Sequence, residues 1–265
     1  NKNWHFIIDQ GGTFTDIIAI SPDKTVITKK VLSRKNMPLY NPILEGITEI
    51  KKNSNFSLHT IDSIKIGTTI ATNALLERKG YNVLLITTKG FKDNLIIGTQ
   101  QRDKIFARHH SRKANLYKNV LEVNERISSS GEFIIPLDEK KVYKDLKFYL
   151  KKRIDSISIV LINSFKYPEH EKKLKAIAKN IGFKNISCSH EVSPTMNFTY
   201  RGYTTLIDSY LNPIIKKYTK DIENKVNAKK IFYMQSNGLL VDNKNFNGRN
   251  AILSGPAAGV NGGIH

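Results

Sequence analysis

The sequence has a single cysteine, Cys188, among its 265 residues. An internal disulfide is therefore impossible, and a lone thiol fits a reducing compartment, so we expect a cytoplasmic protein. No run approaches the roughly 18 consecutive apolar residues that a membrane-spanning helix needs, so we expect no membrane partner. The strand-like segment from Trp4 to Ile8 follows no basic stretch and no signal-type apolar stretch, and we expect no cleaved signal peptide.

Acidic residues are scarce: 23 Asp and Glu stand against 42 Lys and Arg, which gives a formal net charge of +19. A basic surface of this size can attract nucleic acid, anionic lipid or a phosphorylated ligand. The lysines, however, are scattered in pairs such as Lys29-Lys30 and Lys229-Lys230, with no basic stripe interleaved with aromatic residues. This scattering is typical of solvated faces, so we expect no nucleic-acid partner.

A Walker-type phosphate loop is also absent, because no Gly-Lys-Ser/Thr string occurs. The string DQGGTFTD, residues 9–16, instead lies between two predicted strands. Paired glycines allow a tight turn whose backbone N–H groups can surround a phosphate, and the threonines add hydroxyl donors. The candidate phosphate ligands are Gly11, Gly12, Thr13 and Thr15. A plain glycine hairpin would satisfy the backbone argument, but the flanking Asp and Thr residues favour the phosphate loop of the actin, Hsp70 and sugar-kinase ATPase fold.

A second motif, GTTIATNALLERKG, spans residues 67–80 and joins a predicted strand to a predicted helix. Thr68 or Thr69 can cap that helix and leave first-turn N–H groups pointing outward, as an anion or carbonyl site would require. Ordinary capping explains the same residues, and spacing alone favours it.

Strand and helix patterns alternate along the chain, which predicts an α/β protein with a mixed or parallel sheet. Helical spacing of apolar residues occurs over 42–52, 70–79, 140–152, 168–182 and about 201–224. The segment Glu191 to Pro194 separates these patterns into two parts. We predict an N-terminal domain over 1–194 and the start of a second domain over 195–265.

Six strings together carry a family resemblance: GGTFTD, GTTIATNALLERKG, SGEFIIPLD, HEVSP, MQSNG and SGPAAG. In this order and spacing, the chain resembles the hydantoinase A/5-oxoprolinase family over nearly its whole length. Within that family, segments 189–194, 200–202 and 208–211 are more similar to 5-oxoprolinase than to N-methylhydantoinase or acetone carboxylase subunits. The resemblance implies an actin-like (ribonuclease H-like) ATPase lobe with a mixed sheet, incomplete here, plus an inserted α/β unit.

The resemblance also implies the reaction. Family members couple the opening of a cyclic amide to ATP cleavage, and 5-oxoprolinase converts 5-oxo-L-proline, ATP and water to glutamate, ADP and phosphate. Phosphorylation of the amide oxygen would make the ring carbon electrophilic enough for water to add. Phosphoryl transfer depends on positioning and charge neutralisation, so the implied cofactors are ATP and Mg²⁺.

Family roles can be carried onto matching positions of this chain. The resemblance implies catalytic roles near the reacting groups for Asp9, Asp16, Thr69 and Asn73, with Asp9 also beside the metal. It implies nucleotide binding by Gly11, Gly12, Thr13, Thr15, Ser236, Asn237, Gly238 and Gly255. Thr68 and Arg201 are the candidate substrate contacts, although an Arg at a helix start is as often a surface residue. Leu239 stands where family members often carry a second glycine after Asn237-Gly238.

The string SGPAAG, residues 254–259, resembles the start of the small-residue helix that links the two lobes of actin-like ATPases. We expect the second phosphate loop and the adenosine-binding segment to lie outside the 265 residues. The implied partners are therefore the remaining ATPase lobe and a hydantoinase B-type domain or subunit, in an oligomer when complete. Two alternatives stay open: a non-catalytic remnant or split subunit, and an N-methylhydantoinase or acetone carboxylase type subunit.

His190, beside Glu191 in HEVSP, has two interpretations at this stage. The two side chains could act as an acid–base pair. A histidine that completes a hydrogen bond at the end of a strand is the commoner case, and Cys188 in the same short apolar strand is expected to be a core residue.

Overall fold

A computed structural model of the chain describes residues 3–33, 40–100, 115–255 and 257. Its strands are β1 Trp4–Gln10, β2 Phe14–Ile20, β3 Val26–Leu32, β4 Ile61–Thr68, β5 Val83–Thr88, β6 Tyr117–Val123, β7 Arg126–Ile127, β8 Phe133–Ile135, β9 Ser156–Val160, β10 Asn185–Cys188, β11 Ala228–Met234 and β12 Leu240–Val241. Its α-helices are α1 Pro42–Lys52, α2 Ile70–Leu76, α3 Asn94–Ile97, α4 Glu139–Lys151, α5 Glu169–Ile181, α6 Ser189–Val192, α7 Phe198–Lys225 and α8 Gly248–Ala251, with a 3₁₀ turn at Asn243–Asn245. None of these helices combines the length and apolar character needed to cross a bilayer.

The chain forms two compact units, and one of them is discontinuous in sequence. The first unit combines residues 1–79 with 214–265, and the second unit comprises residues 80–213. The predicted inserted α/β unit is therefore present as the second unit. Helix α7 runs through the division at residue 213 without a break, and its residues 214–225 belong to the first unit. The domain boundary after residue 194 stays a prediction.

The first unit is built on a mixed six-stranded sheet in the order β12-β11-β4-β1-β2-β3. Strands β1, β4 and β11 are parallel, while β2, β3 and β12 join their neighbours in antiparallel register. Residues therefore alternate between two faces of the sheet. One face, which we call the inner face, carries the core side chains Trp4, Phe6, Ile8, Ile17, Ile64, Ile66 and Tyr233, each at most 1% exposed.

Helix α1 covers part of the inner face, and its sequence explains where it begins. The Asn41 side chain accepts hydrogen bonds from the backbone N–H groups of Ile43 and Leu44, which satisfies two donors at the helix start. Gly46 brings the helix close to the sheet, because a Cβ there would lie 2.1 Å from Cδ1 of Ile17. A larger residue at position 46 would push α1 off β2.

The second unit contains a fully parallel sheet in the order β10-β9-β5-β6. One of its faces packs on α4 and α5 through an apolar cluster that includes Ile86, Ile157, Leu146 and Leu174. The opposite face is more polar: Ser156 Oγ donates to the Ser209 carbonyl at 2.6 Å and Ser187 Oγ to Asp208 Oδ2 at 2.8 Å. These bonds tie the N-terminal half of α7 to the sheet.

Candidate functional site

The three parallel strands of the first unit end at the same edge of the sheet. Neighbours β1, β4 and β11 run in one direction, so the segments that follow them, 11–13, 69–70 and 235–238, share that edge. In open α/β sheets, ligands bind at the carboxyl ends of the strands. This edge carries most of the site residues predicted from the sequence.

The turn between β1 and β2 is short and closed by its own backbone. The Gly11 N–H donates to the Phe14 carbonyl at 3.0 Å, and the Ser33 N–H donates to the Thr13 carbonyl at 2.8 Å. A Cβ on Gly11 would lie 3.1 Å from that same Phe14 carbonyl oxygen. Gly12 and Thr13 are exposed at the tip, where a bound group can reach them.

The structure brings the first two sequence motifs together. The Thr69 N–H donates to the Gln10 carbonyl at 3.1 Å, and Asn73 Nδ2 donates to Thr69 Oγ1 at 3.1 Å. A Cβ on Gly12 would lie only 3.2 Å from Asn73 Nδ2. Thr69 and Asn73 therefore form one wall of the glycine turn. The two sequence motifs alone did not predict this contact.

Gln10 and Tyr218 belong to this site, although sequence reasoning singled out neither of them. The Tyr218 hydroxyl, on α7, donates to Gln10 Oε1 at 2.6 Å. Burial raises the pKa of Tyr218, so the phenol keeps the proton that it donates. Gln10 was visible inside the string DQGGTFTD, but no sequence signal pointed to a tyrosine 208 positions away.

Asp9 and Asp16 face each other across the β1–β2 pair. Partial desolvation and then the negative charge of Asp16 raise the pKa of Asp9 above its ordinary value. Lys30 Nζ lies 3.1 Å from Asp16 Oδ1, so it compensates the negative charge of Asp16 but not that of Asp9. A carboxylate pair with incomplete charge compensation is the oxygen-rich environment that a hard divalent cation prefers, so the donor set fits Mg²⁺.

Two predicted ligands are placed on the buried side of the sheet edge. The Thr15 side chain is fully buried on the inner face, and its hydroxyl lies 2.9 Å from Ser33 Oγ. Thr68 is 1% exposed, and its hydroxyl accepts from the Ile70 N–H at 3.2 Å. Both side chains therefore hold the loops together from beneath, while Thr69 lies partly exposed above them.

The segment after β11 forms a turn at the same edge. Ser236 and Asn237 lie at least partly exposed, and Gly238 adopts a positive φ of 80°, a conformation that glycine accepts without strain. The Leu239 N–H donates to Asn237 Oδ1 at 3.0 Å, so the turn closes with leucine at position 239.

Gly255 is brought beside Thr69. The Ser254 hydroxyl donates to the Thr68 carbonyl at 2.8 Å, and a Cβ on Gly255 would lie 3.0 Å from Thr69 Cγ2. The absence of a side chain at position 255 therefore allows this close approach.

Arg201 lies in the second unit and is 1% exposed. Its guanidinium donates to Ser189 Oγ and to the carbonyls of Leu161, Thr195 and Met196, at 2.6 to 3.2 Å. These bonds hold the strand ends and the segment 189–196 in place. These contacts give Arg201 a structural role, and the substrate contact suggested by its sequence position stays a prediction.

Glu171 is the centre of a buried polar network in the second unit. Its fully buried carboxylate accepts from the N–H groups of Leu161 and His190, from Ser189 Oγ, and pairs with His190 Nδ1 at 2.6 Å. Cys188 lies close enough for these groups to surround a cation, but burial raises the pKa of its thiol and the carboxylate is already fully engaged. His190 thus completes hydrogen bonds at a strand end, as the commoner sequence interpretation predicted.

Comparison with known proteins assigns both parts of the sequence. Residues 5–182 match the family described as Hydantoinase/oxoprolinase N-terminal region, and residues 201–265 match Hydantoinase/oxoprolinase. A 5-oxoprolinase of Dictyostelium discoideum is 37% identical over 98% of this chain and 24% of its own length. The chain thus spans about a quarter of the length of the curated relatives it matches.

Two solved structures share the fold. The ATP-dependent caprolactamase from Pseudomonas jessenii superposes with a TM-score of 0.85 and 26% identity, over 98% of this chain and 40% of that chain. A nucleotide-free acetone carboxylase gives a TM-score of 0.82 at 23% identity, over 99% of this chain and 40% of that chain. The predicted α/β class with an actin-like lobe and a mixed sheet is thereby confirmed.

Proposed function

Because the chain belongs to the hydantoinase/oxoprolinase family, we propose that it is the phosphate-binding part of an ATP-dependent cyclic-amide hydrolase. The proposed substrate is 5-oxo-L-proline, which the intact protein would convert to glutamate with ATP and water. The substrate is supported by a relative named 5-oxoprolinase at 37% identity, and the reaction class by the structural neighbour titled ATP-dependent caprolactamase. The second lobe and a hydantoinase B-type domain or subunit would complete the enzyme.

The observation that carries the proposal is the contact between the two motifs at the carboxyl edge of the sheet. Gly12 lies against Asn73, and the Thr69 N–H is bonded to the strand that leads into the glycine turn. Such a turn leaves room for a phosphate to approach the backbone of Gly11 to Thr13, with the Thr13 hydroxyl as a further donor. A simple hairpin would need no second motif at its tip.

The roles of the individual residues follow from where each one lies. Thr69 and Asn73 present a hydroxyl and an amide beside the turn, suited to orienting the transferred phosphoryl group or the amide oxygen that accepts it. Ser236, Asn237 and Gly238 line the same edge farther along and are proposed to contact the nucleotide. Gly255 is proposed to let its helix approach this wall closely.

Asp9 and Asp16 are proposed to hold Mg²⁺ through their carboxylates, directly or through water. The ion would neutralise charge on the phosphates when bound. The raised pKa of Asp9 supports this role, since a nearby cation would remove the cost of keeping both carboxylates ionised. Thr15 and Thr68, being buried, are proposed to position the loops rather than to touch the ligand.

The direct test uses the full-length protein and measures 5-oxoproline-dependent release of phosphate from ATP. Thr69→Val should lower kcat by roughly a hundredfold or more, in the range seen when one preorganised donor is removed. Thr60→Val is the matched control, because Thr60 also donates one hydrogen bond, to Asn3, but lies away from this edge. Gly12→Val should abolish turnover by filling the turn.

The result decides between the enzyme and its alternatives. Near-normal turnover in Thr69→Val and Gly12→Val would remove the turn from the site. Turnover of ATP with a different cyclic amide but not with 5-oxoproline would keep the enzyme class and replace the substrate. A full-length protein that is folded but inactive with every substrate would favour the non-catalytic remnant.

A further inference from the structure

The Gln10 side chain lies at the carboxyl end of β1, on the inner face of the sheet. Gln10 pairs with Thr15 of β2 and with Thr68 of β4, and directly paired residues project to the same side of a sheet. Both threonines are buried. Asp9 pairs with Asp16 and projects to the opposite face. The glycine turn is therefore flanked by a carboxamide on one side of the sheet and by a carboxylate pair on the other.

The carboxamide of Gln10 is bonded through its oxygen. The Tyr218 hydroxyl donates to Gln10 Oε1 at 2.6 Å, and because burial raises the pKa of Tyr218, the phenol stays protonated and acts as the donor. A carboxamide has one acceptor oxygen and an NH₂ group with two N–H donors. The hydrogen bond from Tyr218 therefore fixes which end of the amide faces α7, and it turns the NH₂ group away from the tyrosine.

The NH₂ group of Gln10 is a donor that the described part of the chain does not use. Gln10 is half-buried, and its Nε2 donates to no atom of residues 3–33, 40–100, 115–255 and 257. The neighbouring side chains are already bonded to each other, because Asn73 Nδ2 donates to Thr69 Oγ1 and the Thr69 hydroxyl donates to the Gln10 backbone carbonyl at 3.4 Å. An oriented donor at the carboxyl edge of the sheet is suited to receive an acceptor atom of a ligand.

We propose that Gln10 Nε2 donates a hydrogen bond to the carbonyl oxygen of the cyclic amide, and that Tyr218 is the positioning residue that orients this donor. The inference rests on the proposed function and deepens it by assigning a contact to the amide substrate. A carbonyl oxygen has two lone pairs, so one can accept from Gln10 while the other faces the phosphoryl group.

The charges around the turn favour a carbonyl oxygen over an anionic group as the acceptor. The side chains that contact Gln10 or the turn on this side are Thr69, Asn73 and Tyr218, and all three are neutral. Sites that recognise a phosphate or a carboxylate usually add an arginine or a lysine. A hard cation with its phosphates is instead drawn to the carboxylates on the opposite face. The neutral side of the turn therefore suits the neutral end of the substrate.

The test measures binding rather than turnover, in the full-length protein with Mg²⁺. Calorimetry gives the Kd of a non-hydrolysable ATP analogue and then, on the loaded protein, the Kd of two cyclic amides. One is 5-oxo-L-proline, and the other is 2-pyrrolidone, which has the same ring carbonyl but no carboxylate. Comparison of the two amides shows which group of the substrate Gln10 contacts.

Two variants and one control separate the donor from its orientation. Gln10→Met in a Tyr218→Phe background removes the NH₂ group without leaving the tyrosine hydroxyl unpaired, and methionine keeps an unbranched side chain. Tyr218→Phe alone keeps the amide but removes the bond that orients it. Tyr203→Phe is the matched control, because the Tyr203 hydroxyl also lies on α7 and donates one hydrogen bond, to the Leu95 carbonyl at 3.0 Å.

We expect the double variant to bind both cyclic amides about tenfold more weakly, which corresponds to the loss of one hydrogen bond. Tyr218→Phe alone should weaken both by a smaller factor. The affinity for the ATP analogue should stay unchanged in every variant, which also shows that each variant is folded. Tyr203→Phe should bind all three ligands as the wild type does.

Several results would overturn the inference. Unchanged affinity of the double variant for both cyclic amides would do so. Weaker binding of the ATP analogue alone would assign the NH₂ group to a phosphate, and weaker binding of 5-oxo-L-proline alone would assign it to the carboxylate. Loss of all three ligands would make Gln10 a structural residue of the turn.

The inference and the proposed function can fail separately. An active wild type whose double variant keeps its amide affinity would refute the inference and leave the function supported. A wild type that binds cyclic amides through Gln10 but releases no phosphate from ATP would support the inference and count against the function. A wild type that binds no cyclic amide would overturn both.

Discussion

Replacement of Gly12 by alanine tests the contact on which the candidate site depends. The added Cβ would lie 3.2 Å from Asn73 Nδ2, tighter than an ordinary van der Waals contact, so the amide must move. It can move because it is the end of a side chain, but it then loses its hydrogen bond to Thr69, worth about 1 kcal/mol. Gly→Ala also lowers the conformational entropy of the unfolded chain, which stabilises the folded state by about 0.4–1 kcal/mol and offsets this loss. We therefore expect Gly12→Ala to change the free energy of unfolding by less than about 0.5 kcal/mol.

The double variant isolates the interaction. In an Asn73→Ala background no amide is displaced, so Gly12→Ala should stabilise the chain by about 0.4–1 kcal/mol. The coupling energy of the cycle should be about 1 kcal/mol, measured by urea unfolding. Gly11→Ala is the control, because its Cβ would lie 3.1 Å from the Phe14 carbonyl of the hairpin backbone, which cannot swing aside. It should cost about 1–3 kcal/mol in both backgrounds.

Two outcomes would refute this reasoning. Additive effects of Gly12→Ala and Asn73→Ala would mean that the two motifs do not touch in solution. A Gly11→Ala cost as small as that of Gly12→Ala would mean that the hairpin turn is not held by the Gly11–Phe14 hydrogen bond.

Four further predictions test other hydrogen bonds, one carboxylate pair and the site as a whole. Tyr218→Phe should lower the free energy of unfolding by about 0.5–1.5 kcal/mol, because the hydrogen bond to Gln10 is lost. In a double-mutant cycle, adding Gln10→Ala to Tyr218→Phe should lower the free energy of unfolding only slightly further. Asp9→Asn should stabilise the chain at neutral pH. Because the pKa of Asp9 is higher in the folded than in the unfolded state, the wild type loses stability as pH rises through the range between these two values. Unfolding measurements at a series of pH values should show this decrease in the free energy of unfolding only in the wild type. Glu171→Gln should cost about 1.5–3 kcal/mol, because its amide cannot accept from all of its donors, and hydrogen exchange should increase at His190; unchanged protection would contradict the central position of Glu171 in its network. The 265-residue chain alone should bind ATP weakly or not at all by calorimetry, and tight binding would refute an incomplete site.

Local patterns predicted most of the helices and strands. The apolar spacing over 42–52 predicted α1 with its observed bounds, and the spacing from residue 201 predicted most of α7. Helix periodicity depends on residues three and four apart, so it can be read from sequence directly. The strand–turn–strand at residues 6–20 was equally local, because its two glycines mark the reversal.

The division of the chain into two compact units could not be predicted from local apolar spacing. Helix α7 continues from the second unit into the first, and no interruption of the apolar pattern marks that division. A compact unit depends on which strands pair. Strand β11 pairs with β4 across more than 160 residues, a choice that no local spacing reveals.

The site shows the same distinction residue by residue. Adjacent residues were enough to predict that a glycine turn flanked by Asp and Thr ends the first strand, because turn chemistry is local. Long-range packing was needed to establish that Thr15 points into the core while Asn73 lies against Gly12. It was also needed to show that Tyr218 bonds to Gln10 and that Arg201 is buried in the second unit. A side chain's role depends on the face of the strand or helix that it occupies and on the register in which distant elements pack. Both depend on how the whole chain buries its apolar side chains, which local spacing does not reveal.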